Sequence, residues 1–154
     1  MVEIIKNSKK NDILPRNLFG PNNGQNWSDI GLLYNNDRHK IGIFVDFPNI
    51  DISVREEGIH QHPNMTLIKK FCATLGSIKI FKIYGDWNRL VGSRKYLKNI
   101  PGVKLILEPH IITKNGVKKD TVDMGMAFDI GYTLLKNPDI DLYVIITGDA
   151  DFMP

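Results

Sequence analysis

The chain holds a single cysteine among 154 residues. Cys72 therefore has no partner within the chain, which excludes a scaffold stapled by internal disulfides and suits a reducing, cytoplasmic setting. Long apolar runs are missing too. No stretch approaches the ~18 consecutive apolar residues that mark a membrane-spanning helix, so no membrane association is expected. The opening Met1-Val2-Glu3-Ile4-Ile5-Lys6-Asn7 has no signal-peptide core. The four histidines, His39, His60, His62 and His110, form no spaced ligand set with Cys72, which speaks against a zinc site. Basic residues are scarce toward the end. Residues 120–154 carry seven acids and only Lys136 among the bases, a net of −6. Residues 1–119 carry 19 bases and 10 acids, a net of +9.

What is present alternates between short apolar runs and helical patterns. Ile41-Gly42-Ile43-Phe44-Val45, a run at 78–84, Val103-Lys104-Leu105-Ile106-Leu107 and Leu142-Tyr143-Val144-Ile145-Ile146 read as buried strands. Helical spacing falls near 65–75, 88–99 and 120–136, and the stretch holding Glu56, Glu57, His60 and His62 reads as a loop. Alternation of this kind predicts an α/β fold of three layers, a parallel sheet between helices. Residues 1–39, rich in Asn, Lys and Gly, read as a loosely ordered extension. Within it, Ile13-Leu14 and Ile30-Gly31-Leu32-Leu33-Tyr34 could dock on the core or on a partner. Residues 40–154 make one domain.

The acids are placed where such a sheet does chemistry. Asp46 directly follows the first strand, and Pro48 and Asn49 stop the ladder there. Asp149 and Asp151 follow the last strand, with Gly148 allowing a bend. In open α/β sheets, ligands bind at the C-terminal edge of the strands. A third position, Asp123, begins a helix whose apolar face is Val122, Met126, Ile130 and Leu134. Asp123 shares a stripe with Ala127, Ile130 and Leu134, at the end nearest the sheet edge. Each acid has a plainer reading as a turn residue or helix cap. Together they would repel one another, and a divalent cation relieves that repulsion. Asp129 lies about 240° around the helix from Asp123 and reads as a carboxylate facing solvent or standing behind the ligands.

Four blocks in order resemble the signature of the NYN domain, a family of PIN-like nucleases. They are Val45-Asp46-Phe47-Pro48-Asn49, Lys82-Ile83-Tyr84-Gly85-Asp86-Trp87, Lys119-Asp120-Thr121-Val122-Asp123-Met124 and Thr147-Gly148-Asp149-Ala150-Asp151-Phe152-Met153-Pro154. Thr147 replaces the family's usual Ser and keeps the hydroxyl. The resemblance implies a PIN-like, Rossmannoid fold and a ribonuclease dependent on Mg²⁺ or Mn²⁺. It makes Asp46, Asp123, Asp149 and Asp151 the acidic cluster, with Asn49 as a polar helper. Asp46 and Asp149 would contact the metal directly or through water, and Asp123 and Asp151 would complete the shell or orient the attacking water. NYN domains usually continue past this last block, so the resemblance implies a domain lacking its C-terminal part, and with it a homo-oligomer or a completing partner.

The charge split agrees with a polyanionic substrate such as single-stranded or structured RNA. Arg89, Arg94, Lys95 and Lys98, together with Lys114, Lys118 and Lys119, are the expected backbone contacts. Asn115-Gly116 marks a tight turn beside the second group. Trp87, just after a strand, could stack on an unpaired base. Two other readings stay open. One is an RNA-binding or regulatory module of weak activity on the same fold. The other is a nucleotide-sugar transferase using Asp149-x-Asp151, which leaves Asp46 and Asp123 without a task.

Overall fold

The computed structural model describes residues 2–6, 39–58, 62–109, 111–112, 118–119 and 121–148. Five strands form the main sheet. They are β1 (Val2–Lys6), β2 (His39–Asp46), β3 (Gly76–Gly85), β4 (Lys104–Leu107) and β7 (Leu142–Ile146), in the order β1-β7-β2-β3-β4. β7, β2, β3 and β4 run parallel, and β1 closes the edge antiparallel to β7. The helices are α1 (Phe47–Glu56), α2 (Met65–Leu75), α3 (Val91–Leu97) and α4 (Val122–Lys136). A separate two-stranded ladder joins β5 (Ile111–Ile112) to β6 (Lys118–Lys119). The expected parallel sheet between helices is present.

Alternation along the strands assigns the two faces. Ile41, Ile43 and Val45 of β2, Phe81 and Ile83 of β3, and Leu142, Val144 and Ile146 of β7 point to one side. There they meet Phe47 of α1, Met65, Cys72 and Leu75 of α2, and Leu97 of α3. Phe44, Tyr84, Tyr143 and Ile145 point to the other side, against Val122, Met126 and Ile130 of α4. Both faces are covered, as buried parallel strands require. Burial lifts the Cys72 thiol to about 12, so it stays protonated.

The structure differs from the sequence expectation in several places. The segment after the first strand is a helix, α1, rather than a loop. Asp46 caps it by accepting from the Asn49 amide, and Pro48 sits in the first turn, where its missing N–H costs nothing. The expected helix near 88–99 is confined to Val91–Leu97. Within the supposed extension, Val2–Lys6 forms a strand, paired from Val2 opposite Ile146 to Lys6 opposite Leu142; residues 7–38 of that extension lie outside the described residues. The buried seam of α4 runs through Thr133 rather than Leu134. Among the described residues, no helix is long and apolar enough to cross a membrane.

Candidate metal and catalytic site

Four elements converge on Asp46, the last residue of β2. Its side chain is wholly buried. Oδ1 accepts from the Asn49 backbone amide at 3.3 Å, and Oδ2 accepts from Asn49 Nδ2 at 2.7 Å. From the neighbouring strand end, Thr147 Oγ donates to Oδ2 at 3.5 Å. Asp123, in the first turn of α4, approaches from the opposite side of the sheet edge. Register explains the meeting. β2 and β7 are parallel neighbours, with Val45 paired to Ile146, so Asp46 and Thr147 leave the sheet side by side.

The two carboxyls strain each other electrostatically. The Asp46 pKa rises from an ordinary 3.8 to about 7. Burial is the main cause, and contact with the Asp123 carboxyl and its charge add to it, while the Asn49 donors pull the other way. Asp123 Oδ1 is buried and, among the described residues, has no hydrogen-bond partner. An unpartnered buried oxygen on a carboxyl that touches a buried acid is an arrangement that a cation, or a shared proton, resolves. The donor set is oxygen only, which suits Mg²⁺ or Mn²⁺ rather than zinc.

Gly148 itself sits directly on α1. A side chain there would collide with Ser53 Oγ and the Asn49 carbonyl. Asp149 and Asp151, which follow, lie outside the described residues. Among the described residues, no three His, Cys, Asp or Glu side chains gather as a metal-binding group.

A family model for the NYN domain matches residues 40–154. The chain belongs to the NYN domain family. Neither the curated proteins nor the solved structures gave a match. The NYN match spans both strand ends and the start of α4, so the Asp46–Asp123 pair lies inside the family's domain, a nuclease-like fold.

The remaining expected residues separate. Arg89, Lys95 and Lys98 are exposed and Arg94 is half-buried, all on or beside α3. Lys118 and Lys119 belong to β6, and only their backbone is described; Lys114 lies outside the described residues. β5 and β6 flank Asn115-Gly116, itself outside the described residues. Trp87, the expected stacking residue, packs inward. It is buried against Phe47, with ring centroids 5.8 Å apart, and its indole N–H donates to the Ile106 carbonyl at 2.6 Å. Asp129 stands apart from the site. Its carboxylate takes both Lys82 Nζ at 2.8 Å and the Tyr84 hydroxyl at 2.5 Å. Burial, with that carboxylate adding to it, drives the Tyr84 pKa upward. Asp129 thus ties α4 to β3.

Two residues near the site were not singled out from sequence. Thr147 was noted only for keeping a hydroxyl, and that hydroxyl reaches Asp46. Asp86, beyond the end of β3, is buried and accepts from the Asn88 amide at 3.2 Å. The signal for Asp86 was the one used for Asp46, an acid directly after an apolar strand.

Proposed function

We propose that this chain is a metal-dependent ribonuclease of the NYN type, with its acidic centre at Asp46 and Asp123. The observation that carries the reading is the contact of buried Asp46 with half-buried Asp123, one of whose carboxylate oxygens is buried and, among the described residues, without a partner. Asp46 and Asp123, with Asp149 and Asp151 from the following segment, would hold Mg²⁺ or Mn²⁺. The ion would supply charge neutralisation at phosphoryl oxygens and activation of a water.

The protein's own groups have defined tasks around it. Asn49 fixes the Asp46 carboxyl through two donors, one backbone and one side chain. This leaves the carboxyl unable to turn away when a substrate phosphate approaches. Thr147 adds a third donor from the adjacent strand. The start of α4 sets the positive end of its dipole beside Asp123, a setting that favours anionic groups. The exposed cations of the α3 region, Arg89, Lys95 and Lys98, offer a path for the RNA backbone.

The test is cleavage of a labelled single-stranded RNA with Mn²⁺, Mg²⁺ or EDTA. Wild type is compared with Asp46→Asn and Asp123→Asn. Metal-dependent cleavage that falls ~100-fold or more in both variants supports the reading. Cleavage that persists in EDTA, or survives both substitutions, overturns it. A folded wild type that binds RNA tightly without cutting makes the chain a binding module.

A further inference from the structure

Surface helices carry charge on their solvent side, and the centre of that side of α4 carries none. At 100° per residue, Ala127, Gly131, Met124, Leu135, Phe128 and Tyr132 form one continuous arc on the side away from the sheet. Met124 is 70% exposed, Phe128 79%, Tyr132 54% and Leu135 83%. The opposite side of α4, through Val122, Met126, Ile130 and Thr133, is already packed on the sheet. A helix apolar all round belongs in an interior, and a contiguous exposed apolar patch marks an interaction surface.

We propose that this face joins two copies of the chain, with α4 packed against α4 about a two-fold axis near Gly131. Three observations favour a second copy. The first is area. With large aromatic side chains worth ~150–250 Å² each and Met or Leu somewhat less, the four exposed side chains offer roughly 600 Å² per copy. Pairing two copies buries ~1,000 Å² or more, the threshold for a specific interface. The second is shape. Ala127 and Gly131 make a shallow notch along one flank of the face, midway along the helix, and the space where a Gly131 side chain would stand is open. In an antiparallel pair crossing at Gly131, the two glycines meet on the axis, Leu135 of each copy lies over the other's Ala127, and Phe128 flanks the crossing. A patch that fits itself in this way is what a two-fold contact requires. The third is charge. The arc itself holds no cation for a nucleic acid to meet, and no charge to set two copies of a basic protein against each other. Lys136 only borders it, with its ammonium 5.9 Å from the centre of the Tyr132 ring. Antiparallel pairing also sets the helix dipoles head to tail. Asp123 lies outside the arc, so the inference stands independently of the nuclease reading.

The test is sedimentation equilibrium of the full chain over a wide concentration range, with thermal unfolding at each concentration. A monomer–dimer equilibrium and a concentration-dependent Tm are expected. The double variant Phe128→Arg, Leu135→Arg should weaken association ~100-fold or more while leaving the circular dichroism unchanged. Gly131→Cys supplies a second readout, because buried Cys72 is unreactive. Mild oxidation should link it into a disulfide dimer, whereas Leu107→Cys, exposed on β4, should stay monomeric. A wild type that is monomeric at every concentration overturns the proposal, whether the face is then bare, covered by the chain itself or held by another protein. A dimer indifferent to the two arginines, or cross-linking equal at positions 107 and 131, overturns it as well.

Discussion

Beneath α1, α2 and α3 the sheet meets a broad apolar layer in which Phe47, Trp87, Met65, Leu97 and the inward residues of three strands interlock. Beneath α4 the layer is narrower and polar groups enter it. Lys82, Tyr84 and Asp129 form a bonded triad there, and Glu108 lies against Gly125, its pKa raised by burial and by Asp129. Among the described residues, two buried side-chain oxygens lack partners, Asp123 Oδ1 and Tyr143 Oη, and both are on this second side. One face is built for stability. The other accepts unsatisfied groups and carries Asp123 against Asp46.

Truncating the stable face should cost most. Phe47→Ala opens a cavity beneath Trp87 and should destabilise the fold by ~3–5 kcal/mol in urea unfolding. A loss under ~1 kcal/mol would show that this layer is looser than its burial implies. Asp129→Ala, on the second face, leaves the Lys82 ammonium and the Tyr84 hydroxyl without their shared acceptor. Asp129 is a quarter exposed, so water replaces part of what is lost, and ~2 kcal/mol is expected. If α4 depends on this tie for its position, RNA cleavage falls with it, and Asp129→Asn restores part of both.

Asp46→Asn should reverse the sign. Without metal, folding holds Asp46 protonated far more strongly than the unfolded chain does, since its pKa rises from 3.8 to about 7. The stability tied to this proton is complete below about pH 4 and is lost as pH rises through 7. The variant keeps the helix cap, because Asn also caps well, and has no charge to bury. In EDTA above pH 7 it should melt a few degrees higher than wild type, at ~2–4 °C per kcal/mol for a chain of this size, and the two should converge in acid. Mn²⁺ should stabilise wild type and leave the variant unmoved. The smallest effect belongs to the exposed cations. Arg89→Ala or Lys95→Ala should shift stability by no more than ~0.5 kcal/mol. Each should reduce the salt dependence of RNA binding by ~0.7 in slope for every phosphate that is no longer neutralised. An unchanged slope would place the RNA path elsewhere.

Local patterns carried much of this into the sequence. An apolar run ending in an acid marked Asp46, and a helical stripe with an acid at its head marked Asp123; both reach the same sheet edge. Helix α1 escaped because Pro48 and the polar residues after it read as a breaker, although Pro48 sits where proline is tolerated. The inward packing of Trp87 was not legible because it depends on Phe47 and Ile106, which sequence spacing does not bring near it. β1 escaped for a related reason. Nothing within Val2–Lys6 specifies a partner as far along the chain as Leu142–Ile146.

That distance has a consequence for how the molecule is made. β1 is synthesised long before its partner β7. The parallel strands β2, β3 and β4 and helices α1 to α3 can associate while the chain is still emerging, but the β1 edge waits for Leu142–Ile146. Pairings so distant in sequence close late and slow folding. Until then, the flank of β2 that will receive β7 is an open ladder, and the nascent chain is most exposed to misassociation at the strand that ends in Asp46.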